Sequence, residues 1–162
     1  MKSLPSFFAL KWLSGLLMLV LASSNSFAGN VASNVSVIDF YARAVPSGQP
    51  NSAAFMTLKN SGTEDRALID ARSSVSKVVE LHTHKKEGGM MRMRRVDQIT
   101  IKAGSETILK PGGLHVMFIG LKQQLTQGDK VDLELIFDNG SRIQLTVPVK
   151  VVAGMRHKKP KH

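Results

Sequence analysis

The sequence predicts an all-β fold, an antiparallel β-sandwich or barrel. Three observations predict it. Ten short runs of β-type residues follow one another at close spacing. Turn-forming clusters of Gly, Pro, Asn, Asp and Ser separate them. No convincing amphipathic helical stripe appears anywhere after the N-terminal segment.

In chain order the expected strands are Val35–Ala42, Ala53–Lys59, Ala67–Ser73, Val78–His84, Met90–Arg94, Ile99–Ile101, Glu106–Leu109, His115–Ile119, Lys130–Phe137 and Arg142–Val149. Turns are expected at Pro46-Ser47-Gly48, Asn60-Ser61-Gly62, Gly88-Gly89, Lys110-Pro111-Gly112-Gly113 and Asp138-Asn139-Gly140. The last of these, between two alternating strands, is the clearest hairpin signal. Residues 29–34 read as a short flexible leader.

Residues 1–28 stand apart from the fold. Lys2 and Lys11 precede an apolar run from Trp12 to Ala22, and Ser26-Phe27-Ala28 places small residues at the usual cleavage positions. This is the pattern of a secretory signal peptide cleaved after Ala28, and the run is too short to span a bilayer. The protein is therefore expected to be exported. Residues 29–152 form one domain, because no repeat or linker divides them. Residues 153–162 are basic and irregular and read as a flexible tail.

The 162-residue chain has a formal charge of +10, which falls to about +8 once Lys2 and Lys11 are removed with the signal. Its basic residues are not interleaved with aromatics, which argues against nucleic acid. The charge suits attraction to an anionic membrane surface or an acidic partner protein, or simply a soluble basic surface. A monomer is expected. The chain has no cysteine. An exported domain without disulfides must hold by core packing, and any soft-metal chemistry must use methionine sulfur.

Such sulfur is present in a suggestive pattern. His82 is followed after ten residues by Met93, after twenty-one more by His115, and after one more by Met117. Two imidazoles and two thioethers make an uncharged, partly soft donor set, suited to Cu(I) rather than to Zn(II), Ca(II) or Mg(II). Strand alternation gives a first test. Val79 and Leu81 share one face while His82 and His84 share the other; Val116 and Phe118 share one face while His115 and Met117 share the other. Apolar residues thus point inward and donors outward, on a rim that a partner can reach.

His84 and Met91 are second-tier candidates, each two residues from a primary donor on the same strand face. The plainer reading of these two is a solvent-exposed His84 and a packing Met91. Glu80 shares the His82 face and is placed to hydrogen-bond a ligand imidazole, fixing its tautomer. Met56 reads as core. In the tail, Met155, His157 and His162 offer an auxiliary site favouring Cu(II); a solvated basic tail is the simpler reading.

The stretch ELHTHKKEGGMMRMRRVDQITIKAGSETILKPGGLHVMFIGL, from Glu80 to Leu121, closely resembles the PCuAC family of periplasmic copper chaperones. The segments Ala42–Pro46 and Ala53–Asn60 resemble the N-terminal half of that family, so the likeness runs over about residues 35–150. The family motif is matched without gaps by His82, Met93, His115 and Met117. The resemblance implies a cupredoxin-like, antiparallel Greek-key β-sandwich. It also implies a Cu(I) carrier that supplies the CuA centre of cytochrome c oxidase, often alongside a Sco-type thiol partner.

The residues agree with carriage rather than turnover. A blue-copper electron carrier needs a cysteine thiolate, and no nucleophile–base pair, paired-carboxylate signature or phosphate-cradling loop is present, so no enzyme is expected. Because protons compete for the imidazoles, copper affinity should weaken below about pH 6.5. Two other functions use the same features: copper buffering or resistance, and a metal-free sandwich serving adhesion or assembly.

Overall fold

A computed structural model of the chain describes residues 31, 32 and 34–152. The expected signal peptide and the basic tail, with Met155, His157 and His162, lie outside the described residues. The described part contains eleven strands and no helix. They are β1 (Val31–Ala32), β2 (Val35–Arg43), β3 (Asn51–Asn60), β4 (Arg66–Arg72), β5 (Ser76–Glu87), β6 (Met90–Arg95), β7 (Ile99–Ile101), β8 (Glu106–Leu109), β9 (His115–Leu121), β10 (Lys130–Phe137) and β11 (Arg142–Lys150).

All ten expected strands are present. The added strand, β1, pairs with the start of β2 through a turn at Asn34, which takes φ 72°. Part of the expected leader is thus ordered by the sheet. The other differences are extensions. The strand around His82 runs on to Glu87 because Gly88 and Gly89, at φ 57° and 81°, close a two-residue hairpin onto Met90. Positive φ at both loop positions is the geometry whose twist matches the flanking strands, and glycine adopts it without penalty.

Pairing runs β6-β5-β9-β3-β2-β11-β10-β4-β7, with β1 on β2 and β8 on β3. The first five strands make one layer and the last four the other; the chain crosses between layers from β3 to β4 and back from β4 to β5. Nearly every pairing is antiparallel. One is not: Val149 and Lys150 run parallel to Ala42 and Arg43. The register of β2 shifts between Ile38 and Tyr41, with Asp39 at φ 54°. Such a bulge bends its strand, and the bent end of β2 meets β11 at the corner joining the layers.

Alternation fills the space between the layers. On β11, Ile143, Leu145, Val147 and Val149 are buried while Arg142, Gln144, Thr146 and Lys150 are exposed. Phe118, Phe137, Met56, Leu58 and Leu68 are the largest fully buried members of the core. Each such side chain contributes about 1.5–3 kcal/mol on burial. In a chain without cysteine, these residues must supply the stability that exported domains often take from disulfides. Met56 is core, as its sequence context suggested.

Candidate metal centre

The face of the first layer turned away from this core carries the candidate donors, on three adjacent strands. Leu81, Val116 and Phe118 point into the sandwich, which sends His82, His84, His115 and Met117 to the other side. The register between strands then decides who meets whom. His82 stands directly opposite His115 across β5 and β9, and Glu80 opposite Met117. Across β5 and β6, His84 stands opposite Met93, Lys86 opposite Met91, and His82 opposite Arg95.

Three imidazoles cluster there. The His115 ring lies 5.8 Å from that of His82 and 5.2 Å from that of His84, centroid to centroid. Met117 shares its strand face with His115. Met93 lies beyond His84 on the edge strand. The two thioethers therefore approach the imidazole pair from opposite flanks, at the level of His84 and at the level of Glu80. Diagonal neighbours on a sheet face lie about 7–8 Å apart, within reach of a long, flexible methionine side chain.

Burial departs from the expected open rim. His115 is only 2% exposed. Its strand is interior to the layer, with β5 on one side and β3 on the other, and its ring also faces Phe55 at 6.2 Å. Phe55 in turn stacks at a tilt on Tyr41, 5.4 Å away. A row of aromatic side chains from β3 and β2 thus flanks His115 where the strand pattern alone suggested solvent. Of the four primary candidates, only Met93, 40% exposed on β6, sits on a rim of the expected kind. The plainer readings of the second-tier pair are both corrected. His84 is half-buried against His115, and Met91 is exposed on the edge strand rather than packed.

The imidazoles are held by specific partners. His82 Nε2 donates to the Glu80 carboxylate at 2.7 Å, the contact foreseen for Glu80. His115 Nδ1 donates to the Gly113 carbonyl at 2.9 Å. Burial holds the His115 pKa below the ordinary histidine value. The Gly113 carbonyl opposes that shift, while His84, His82 and Arg43 reinforce it by charge repulsion. A buried neutral imidazole is the form a metal can use.

His82 Nδ1 is buried with no hydrogen-bond partner, an arrangement that costs free energy unless something accepts its lone pair. Among the described residues, no three His, Cys, Asp or Glu side chains converge closely enough to hold a metal. A metal taking three or more side-chain ligands here would need the thioethers, donors that suit a soft ion. Sequence reasoning missed Arg95, Phe55 and the Gly113 carbonyl. Each acts through cross-strand register or local backbone direction, for which no sequence signal exists.

Comparison with known proteins adds relatives to this geometry. The family model described as "Putative lipoprotein LpqE-like" matches residues 35–149. "Putative lipoprotein Lxx21020" of Leifsonia xyli subsp. xyli is 36% identical over 135 residues, spanning 83% of this chain and 80% of that protein. The solution structure of CuI-DR1885 from Deinococcus radiodurans superposes with a TM-score of 0.61 at 29% identity, covering 83% of this chain and 87% of that one. The copper-bound PCuAC domain from PmoF2 superposes with a TM-score of 0.64 at 20% identity, covering 75% and 97%. The fold is the cupredoxin-like antiparallel sandwich that the resemblance implied, with its single parallel step.

Proposed function

Because this chain belongs to the LpqE-like family and shares its fold with solved PCuAC domains, we propose that it is an exported copper carrier. In this reading it holds Cu(I) through His82, Met93, His115 and Met117. His84 and Met91 serve as alternative donors during loading and release.

The observation that carries this reading is the pairing of His82 with His115 across β5 and β9, with Met117 beside it and Met93 on the adjoining strand. Neutral imidazoles and thioethers favour Cu(I) over Cu(II) and over hard divalent ions. The relatives support the metal: one solved neighbour is a Cu(I) form and another is copper-bound.

With no thiolate of its own, the site yields copper to a thiolate-rich acceptor by ligand exchange. Met93, on the exposed edge strand, is the thioether displaced first. The acceptors that fit are the CuA centre of cytochrome c oxidase and a Sco-type thiol protein. The basic hairpin, with Lys85, Lys86 and Arg92 exposed beside the donors, suits an acidic docking surface. The domain acts in the periplasm after cleavage behind Ala28. The name of the family speaks of lipoproteins, but these 162 residues contain no cysteine that could carry a lipid.

Competition titration with a Cu(I) chelator, combined with X-ray absorption, tests the reading. The expected result is one Cu(I) per chain with both nitrogen and sulfur neighbours. Failure to bind stoichiometric Cu(I) under reducing conditions would leave a metal-free assembly module. Delivery is tested in a deletion strain at low copper, where oxidase assembly should fail. Normal assembly with heightened copper sensitivity would restrict the role to buffering.

A further inference from the structure

We propose that the two imidazoles offer copper different nitrogens, His82 its Nδ1 and His115 its Nε2, and that Glu80 is the positioning residue that makes the first choice. The inference rests on the copper reading above and deepens it.

The assignment follows from what each partner can do. A carboxylate oxygen only accepts hydrogen bonds, so the 2.7 Å contact between His82 Nε2 and Glu80 Oε2 places a proton on Nε2. A neutral imidazole carries one N–H, which leaves the His82 lone pair on Nδ1. That atom is the buried nitrogen without a hydrogen-bond partner. A backbone carbonyl also only accepts, so the 2.9 Å contact from His115 Nδ1 to Gly113 places the proton there and the lone pair on Nε2. The two rings, 5.8 Å apart, therefore hold opposite tautomers.

Glu80 is itself held in place. It sits two residues before His82 on the same face of β5, and its other oxygen, Oε1, lies 3.7 Å from Arg95 Nη1. Arg95 stands directly opposite His82 on β6. The hairpin thus clamps the carboxylate against the ring from the neighbouring strand. Carboxylates that accept from a ligating histidine orient the ring and raise its basicity, and their loss costs about 10- to 100-fold in metal affinity. The His115 acceptor is main chain, a carbonyl that His84 Nδ1 also approaches at 3.5 Å.

Long-range proton–nitrogen correlation NMR on the full labelled chain reads both tautomers directly, and Cu(I) is diamagnetic. In the metal-free protein, His82 should be protonated on Nε2 and His115 on Nδ1. Stoichiometric Cu(I) should shift His82 Nδ1 and His115 Nε2. Glu80→Ala should scramble the His82 tautomer alone and weaken Cu(I) binding about 10- to 100-fold. Glu80→Gln, whose amide oxygen still accepts, should restore the tautomer. A Cu(I) shift at His82 Nε2, or at the same nitrogen of both rings, overturns this inference while the copper site stands. An unchanged His82 tautomer in Glu80→Ala overturns the role of Glu80. No Cu(I) shift at either ring overturns the copper reading itself.

Discussion

His82 and His115 face each other across the β5–β9 ladder with their rings 5.8 Å apart, although thirty-two residues separate them in sequence. One ring is held by a side chain on its own strand, the other by the carbonyl of Gly113 just before β9 begins. Both contacts use only the chain's own atoms. In the proposed copper-carrier role, nitrogens held in this way would spend little ordering entropy on capture.

Removal of a ligand should be severe and local. His115→Ala and Met117→Ala are each expected to weaken Cu(I) binding by more than about 100-fold, since outer-shell changes alone at metal sites cost about 10- to 100-fold. His84→Ala should cost less than either. Chelator competition measures the affinities, and circular dichroism confirms that the strands persist. Unchanged binding in Met117→Ala would remove that residue from the set.

Methionine oxidation offers a separate test of the thioethers. Met90, Met91 and Met93 are exposed while Met56 is buried in the core. Peroxide should convert the three exposed residues to sulfoxide first and leave Met56 intact. Bound Ag(I), a soft monovalent ion that does not reduce peroxide as Cu(I) does, should protect Met93 and Met117 but leave Met90 unprotected, as peptide mass spectrometry would read. Equal oxidation of Met93 with and without Ag(I) would argue that it does not bind.

The buried His115 makes the metal-free protein sensitive to mild acid. Burial first, then His84, His82 and Arg43, hold its pKa below the unfolded value despite the Gly113 carbonyl. The unfolded chain binds the proton more readily, so this stability is fully present above about pH 6.5 and is lost as pH falls through the lower folded value. The carboxylates whose pKa values are lowered, Asp65, Glu87, Asp129 and Asp132, act in the same direction but at lower pH. Urea unfolding between neutral pH and about pH 5 should show a falling midpoint in the native chain. The slope should be smaller in His115→Gln.

Asn60 locks the end of the sandwich far from the donors. It is 1% exposed. Its Nδ2 donates to the Glu64 carbonyl at 2.8 Å and to the Ile101 carbonyl at 3.1 Å, and its Oδ1 accepts from the Gly62 amide at 2.9 Å. Asn60→Ala leaves those backbone groups without partners, at a cost of about 1–3 kcal/mol in denaturant unfolding. Cu(I) affinity should be unchanged, because the two regions share no contact.

Much of the fold was legible because strand alternation is a local property. The ten expected strands recur at nearly their expected bounds, and Leu81, Val116 and Phe118 point inward as their phase required. Boundaries drifted where pairing, rather than composition, ends a strand. β5 runs through the charged residues Lys85 to Glu87 only because β6 is there to receive their backbone hydrogen bonds. Phase also placed His115 correctly on the outward face yet misjudged its exposure, since Phe55 and Tyr41 arrive from strands that a single segment does not reveal.

The donor chemistry is written into the residues themselves: no thiol anywhere, imidazoles and thioethers in fixed number, and a period of two that keeps them off the core face. Which donor meets which, and which nitrogen each ring exposes, emerged only on folding. Register between β5, β6 and β9 is set by the packing of whole layers and by the turns that join them. A residue's neighbours across a ladder are therefore a property of the assembled sheet, and the facing of His82 and His115 exists only there.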